Sequence, residues 1–369
     1  MKTADVIVVG GGGVGLGIAL AAAGRGLSVA LVAEHRAGEA FPAAAGILAP
    51  PSLEMVDRSA AGPEHAFAVA ARDRYPSYLI ELAEQSGIAV PLNRLGLLHI
   101  VLDDARAVEQ AAVAIPGTTW LDRDALAALE PSLAHAAGAR LFPEDGAVDN
   151  VVLLQALEIA VARCARVRQA AGSARGIRIE PNGVSCDLGD GWVTGAQLVL
   201  AAGAWSSLIE GLPRPLPVEP LRGQMISLAA SPVRHVVYGH DGYLVPRGDM
   251  TLVGATMEHA AFDVSTTAEG VAGLRAAAAE LCPALAGLPV AKAWAGLRPV
   301  SPDFLPIIGR DPDSPSLIYA CGHSRNGVLM APLTADCVAA LLVGETPPAS
   351  LAAFGIERFA LTAEAATTG

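Results

Sequence analysis

The residues with the clearest chemistry stand near the start of the chain. Gly10-Gly11-Gly12-Gly13-Val14-Gly15 carries G-x-G-x-x-G at positions 10, 12 and 15. In a chain with 39 glycines that pattern alone is weak. Its setting strengthens it, because the apolar run 5–9 precedes it and the alanine-rich stretch from Ile18 to Arg25 follows. A strand that turns into a helix through such a loop binds a dinucleotide pyrophosphate. Gly10 permits the tight turn, Gly12 removes a Cβ that would block the phosphates, and Gly15 lets the helix approach the strand. Gly13 and Val14 complete the loop, whose N–H groups meet the anion at the helix N-terminus. A plain glycine-rich turn is the competing reading, and the ordered fingerprint favours the dinucleotide.

A ribose-binding acid belongs at the end of the second strand, roughly twenty residues further on. The run Leu31-Val32-Ala33-Glu34 puts Ala33 at that place and the acid one residue later. Glu34 is the expected ribose ligand, with Ala33 beside it, and Arg36 leaves a 2′-phosphate open.

The elements that must position this loop form a βαβ unit: strand 5–9, helix 18–25, strand 29–32. Further along, the patterns predict a helix near 74–88, a strand at 97–101, helical turns and loops over 105–141, and a helix from Leu153 to Ala165. An apolar strand at 197–201 ends in Gly203. Pro213, Pro215, Pro217 and Pro220 then disfavour helix, as in an extended linker. Strands follow at 224–228, 235–238, 243–245 and 251–253. A helix over 268–282, a strand over 315–320 and a helix over 328–342 complete the pattern. The expected fold class is α/β: a Rossmann-like dinucleotide-binding domain that is discontinuous, with a strand-rich antiparallel α+β substrate domain. The expected limits are 1–85, 146–212 and 292–369 for the first, and 86–145 and 213–291 for the second.

Composition bounds the partners. A net charge of −12 argues against nucleic acid and anionic membranes, both of which need a basic surface. No apolar run reaches the length of a membrane span without glycine or charge. The N-terminus lacks the ordered regions of a signal peptide. Five widely spaced cysteines form no C-x-x-C pair, so reduced thiols and a cytoplasmic setting are expected, with no metal site. A homo-oligomer stays open.

Three segments choose between the two common dinucleotides. Ala43-Ala44-Ala45-Gly46-Ile47-Leu48 follows the second strand, where a flavin enzyme needs small residues beside the ring. Val199 to Ser206 ends in A-x-G and carries Gly203 and Trp205. Gly322-His323-Ser324-Arg325-Asn326-Gly327-Val328-Leu329 opens the last helix, whose N-terminus can stabilise a reduced flavin. Together with Trp294 to Pro299 (G-L-R-P) and Gly242 to Arg247 (Y-x-V-P-R), these segments resemble the glycine oxidase and D-amino acid oxidase family. The likeness is closest to bacterial glycine oxidases of the thiamine pathway, and it spans nearly the whole chain in order.

The resemblance implies FAD, held without a covalent bond, because no cysteine lies near Gly296–Pro299 where sarcosine oxidases tether it. Ala44, Ala45, Gly46 and Ile47 would flank the ring, and His323, Arg325, Asn326, Gly327, Val328 and Leu329 would form the flavin loop. The resemblance assigns Arg298 to the substrate carboxylate, a role that suits a bidentate guanidinium. Tyr243 would reach the same carboxylate, and Arg325 would either touch substrate or brace the loop. The implied partners are a small amino acid and oxygen. The implied reaction is hydride transfer from Cα of an uncharged amine, giving an imine, then a 2-oxo acid, ammonia and hydrogen peroxide. Ile47, Ser324, Asp241 and Gly242 depart from the family pattern. Asp241 lies two residues from Tyr243, either as a pocket carboxylate on the same strand face or, preferred, as a solvated turn residue. Rival readings are an N-methyl amine oxidase, a D-amino acid dehydrogenase and a catalytically silent flavin scaffold. A hydrolase fails because Gly322-His323-Ser324 does not complete G-x-S-x-G.

Overall fold

The computed structural model describes residues 4–50, 62–170 and 172–359. Val6 to Val9 are buried on both faces, as an apolar strand inside a parallel sheet must be. This strand, β1 (Ala4–Val9), leads into α1 (Gly13–Gly24), and the chain returns as β2 (Val29–Val32). β1 runs parallel to β2 on one side and to β12 (Trp192–Leu200) on the other. β9 (Val167–Ala170) extends the sheet beyond β2, and β19 (Leu317–Cys321) beyond β12, both parallel. β18 (Ile307–Arg310) closes the far edge antiparallel to β19. The hairpin of β10 (Gly176–Glu180) and β11 (Gly183–Asp187) joins the first half of β12.

The period-2 alternation of β1 divides the core. Val6 and Val8 pack with α1 and with α3 (Pro63–Ser86), α6 (Asn150–Arg163) and α8 (Gly327–Val343). Ile7 and Val9 point to the opposite face, against Ile177 and Val184 of the hairpin. The segment Ser324–Val343 is long and apolar enough to cross a membrane, but 72% of its window is buried within the fold. A helix that is apolar all round is what a core position demands.

The second large sheet has the order β17 (Val290–Val300), β13 (Glu219–Leu228), β16 (Met250–Gly254), β15 (Tyr243–Arg247), β14 (Val236–Tyr238), β5 (Leu97–Val101), β7 (Gly138–Phe142), β6 (Thr119–Asp122). Its pairs are antiparallel except β14 with β5. α5 (Arg123–Leu129) and α7 (Ala268–Leu281) bury Leu126, Leu274 and Leu281 against it. A small sheet of β3 (Ile47–Leu48), β8 (Gly146–Val148) and β4 (Leu92–Asn93) supports the segment after β2. Two short helices, α2 (Ala40–Ala43) and α4 (Asp104–Ala112), lie near the site described below.

The α/β class expected from the sequence is the class observed. Two local expectations fail for physical reasons. The stretch 105–141 contains β6 and β7 as well as helices. β6 is a half-exposed edge strand and β7 carries Gly138 and Arg140, so neither shows an apolar run. α3 begins at Pro63 rather than 74, and the interior Pro76 masks its continuity.

Candidate active site

The glycine loop is built by close backbone approach. Gly10 has φ +129, and a Cβ there would lie 2.1 Å from the Ala201 carbonyl oxygen. A Cβ on Gly15 would lie 2.0 Å from the Gly10 oxygen, which is the tight helix–strand packing the fingerprint needs. Gly13 is close-packed too, against the Phe41 ring, while a Cβ on Gly12 would point into open space. Gly12 caps α1 without any side-chain bond, so the first-turn N–H groups, with half-buried Val14, are left for an anion. These residues fit a dinucleotide pyrophosphate. The Ala201 N–H donates to Val9, which brings the end of β12, Gly203 (φ +56) and Trp205 beside the loop.

β2 ends at Val32, so Ala33 and Glu34 both lie past it and are exposed. The Glu34 carboxylate accepts from Arg36 at 2.9 and 3.1 Å and from the Ser173 hydroxyl. The Ser173 bond and then Arg36 hold it below the usual carboxylate range. Arg36 also lies 5.6 Å over the Trp205 ring, which stacks on Phe262. Glu34 is thus the acid at the strand end, already tied to a local cation.

The small-residue run is pinned from outside. Gly46 has φ +76, and a Cβ there would meet the Val148 oxygen at 2.0 Å. Arg247 donates to the Ala45 carbonyl at 2.9 Å, to Asp149 at 2.9 Å and to Asn150 at 3.2 Å. The Trp294 indole N–H donates to the Ala43 carbonyl at 2.9 Å. Both residues stand in motifs visible in the sequence, but their bracing role depends on partners about 100 to 250 positions away, which no local pattern reports.

A cavity of about 780 Å³ opens beside this run. Ala45, Gly46, Ile47, Tyr243, Arg298, Arg325 and Asn326 all line it. Arg298 donates to the carbonyls of Thr256 at 3.0 Å and Arg222 at 3.4 Å. Among the described residues no carboxylate pairs with it. Burial first, and then Arg325, push its pKa below the ordinary arginine value, with Tyr243 opposing. Burial lifts the Tyr243 phenol above its usual value while Arg298 and Arg325 pull it back, so it stays protonated at neutral pH. Two glycines make room for the pair. A Cβ on Gly223 would lie 2.2 Å from the Arg298 guanidinium, and one on Gly254 2.4 Å from the Tyr243 oxygen.

The flavin-loop residues divide by direction. Arg325 is exposed at the cavity and Asn326 donates to Glu64 at 2.8 Å. His323 is buried, its ring bonded to Thr334 at 3.2 Å, and burial depresses it to about 4, so it is neutral. Val328 and Leu329 point into the core, so those two could offer a ligand only their backbone groups. α8 starts at Gly327 with no side-chain cap. Asp241 sits in the turn before β15, with 67% of its side chain exposed, and approaches His240 at 3.7 Å. It is a turn residue at the cavity mouth rather than a strand-face partner of Tyr243.

This arrangement has counterparts. The chain is 33% identical over 372 residues to the bifunctional protein ThiO/ThiG of Synechocystis sp., covering 98% of this chain and 55% of that protein. It thus spans about half the length of the ThiO/ThiG proteins it matches. It is 32% identical to the glycine oxidase of Geobacillus kaustophilus, over 96% of this chain and 97% of that one. The crystal structure of a glycine oxidase from Geobacillus kaustophilus superposes with a TM-score of 0.87, at 30% identity, over 96% of this chain and 98% of the other. The family model for FAD dependent oxidoreductases of the DAO type matches residues 5–341. With the family model matched over nearly the whole chain and a glycine oxidase fold superposing on it, the chain belongs to the DAO family of FAD dependent oxidoreductases.

Proposed function

We propose that this chain catalyses oxidative deamination of glycine, or of a small amino acid or N-alkyl glycine, giving an imine, then a 2-oxo acid and ammonia or amine, with hydrogen peroxide. The observation that carries the reading is Arg298. It is a buried guanidinium that donates to carbonyls and, among the described residues, pairs with no carboxylate, and it lines one cavity with Tyr243 and Ala45–Ile47. FAD, when bound, supplies the hydride acceptor and passes the electrons to oxygen.

Arg298 binds the substrate carboxylate as a charge-assisted pair. Tyr243 donates its hydroxyl to the same group, which its protonated state allows. Together they fix the Cα–H direction, and such positioning lowers the entropic part of the barrier. The substrate amine enters uncharged, so its lone pair can form the C=N bond as Cα loses hydride, and no protein base is assigned. Gly10, Gly12, Gly13, Val14 and Gly15 hold the pyrophosphate. Ala33 and Glu34 take the ribose side. Ala44 to Ile47, Gly203, Trp205 and the 323–329 turn complete the cradle. None of the five cysteines lines the cavity, which supports non-covalent binding.

The dinucleotide-binding body is proposed as 1–85, 146–212 and 292–369, and the substrate domain as 86–145 and 213–291. The division between the two large sheets supports this except at residue 292, because β17 pairs with β13 in the second sheet although most of it lies past that limit. The likeness to ThiO/ThiG supports a role in thiazole synthesis for thiamine, and a cytoplasmic setting is proposed from the unpaired cysteines. An anaerobic titration with glycine, sarcosine, proline and D-alanine, following the visible flavin band, tests the reading. Bleaching by at least one amine, and peroxide on admitting oxygen, are expected. A flavin that none of them reduces overturns it.

A further inference from the structure

The cavity continues well past the carboxylate clamp. We propose that its outer end is a second anion subsite, built from Arg106, Gln110 and His99, which selects an amino acid carrying a second acidic group. This inference rests on the reading of Arg298 as the carboxylate clamp.

The cavity measures about 780 Å³, part of which the flavin ring would fill, and its lining runs on from buried Arg298 to exposed residues of α4. The flavin end lies between Ala45–Ile47 and Arg325–Asn326, and Arg298 and Tyr243 stand along its wall. The rest of the wall comes from β5 and α4, from the 238–242 turn and from the end of α7. Arg106 and Gln110 are four apart on α4, so they share a helix face, and both line the cavity. His99 on β5 lines it too. Burial pushes His99 below the ordinary histidine value, and Arg140 and Arg106 push the same way, so the site lies in a cationic field. Among the described residues Arg106 forms no ion pair. A guanidinium, an amide and an imidazole thus stand on the cavity that Arg298 also lines.

The acids nearby do not cancel this set. Asp103 caps α4, accepting from the Arg106 backbone N–H at 2.8 Å. Asp241 is solvated beside His240, and Glu280 is exposed at the end of α7. Both line the same cavity, and neither is ion-paired with Arg106 among the described residues. The second acid can be carried on the substrate nitrogen or on its side chain, and the two sources are tested separately.

The flavin-loaded enzyme is titrated calorimetrically with acetate, succinate and glutarate, which bind without being oxidised. A dicarboxylate should bind about tenfold more tightly than acetate, the weight of one charge-assisted contact. In Arg106→Ala that ratio falls to about one, and in Arg106→Glu it inverts. A ratio near one in the wild type, or one retained in Arg106→Ala, overturns the subsite. Anaerobic flavin reduction by iminodiacetate against D-glutamate then reports which source the subsite prefers, and reduction by neither at concentrations where glycine reduces also overturns it. Acetate binding that survives Arg298→Ala overturns the clamp instead, while the dicarboxylate ratio still decides the outer subsite.

Discussion

Arg298 and Tyr243 owe their positions to residues that have no side chain. A Cβ on Gly223 or Gly254 would overlap the guanidinium or the phenol, and in both cases the tip of the functional side chain would have to move. Gly223→Ala should therefore weaken acetate binding while leaving flavin content unchanged, as calorimetry and the flavin-to-protein absorbance ratio would show. Arg298→Ala removes the charge itself and should cost about 2–5 kcal/mol of carboxylate affinity. Affinity equal to the wild type would end the clamp reading. Tyr243→Phe removes one hydrogen bond to the same carboxylate, worth about 1 kcal/mol, and should raise the dissociation constant roughly fivefold.

At the scale of elements, the glycine loop and the turn before β14 make separate predictions. In Gly15→Ala the new methyl meets the Gly10 backbone oxygen, which no rotamer change can relieve, so α1 must lift from β1. The variant should lose FAD on gel filtration while wild type retains it. Buried Glu130 accepts the backbone N–H groups of Arg234 and His235, each at 2.9 Å, and the His235 ring at 2.5 Å. Burial would raise its pKa, but the His235 bond and then the two N–H groups outweigh it and the net shift is downward. A depressed carboxylate contributes stability above its unfolded pKa and loses it as pH falls through the folded value. Glu130→Gln should destabilise by about 1–3 kcal/mol at neutral pH and flatten the acid limb of a stability–pH curve, read by urea melts. An unchanged acid limb would remove Glu130 as its source.

For the whole molecule, the two large sheets meet where the cofactor and substrate readings converge. β17 pairs with β13 along its length, and its Trp294 ties back to Ala43 of the segment after β2. A ligand held by the glycine loop, Ala44–Ile47 and the 323–329 turn therefore braces three stretches that are far apart in the chain. FAD at a hundredfold excess over its dissociation constant should stabilise the protein by about 3 kcal/mol. A melting temperature that does not respond to added FAD would contradict that placement.

Local order was legible in the sequence wherever one physical demand acts on neighbouring residues. The apolar run of β1, the spaced glycines and the alanine-rich helix satisfy sheet burial, turn geometry and helix packing within about twenty residues, so the dinucleotide loop could be read directly. The misplaced acid was legible too, because strand end and side chain are only two positions apart. Other features had no local signal. β6 and β7 are an edge strand and an arginine-bearing neighbour whose pairing depends on β5, and Arg247 and Trp294 act on carbonyls far away in the chain. The cavity wall of α4 and β5 belongs to the same class, since Arg106 looks like any solvated helix residue until the fold sets it on the cavity that Arg298 also lines. By itself the sequence pointed to the dinucleotide loop through residue type and spacing, and to the family, FAD, Arg298 and Arg325 through the order of motifs it shares with that family. Only the tertiary structure decided that the buried Arg298 has no acid beside it among the described residues, which histidine is buried and neutral, and how far the cavity reaches, because burial and pairing are properties of distant segments brought together.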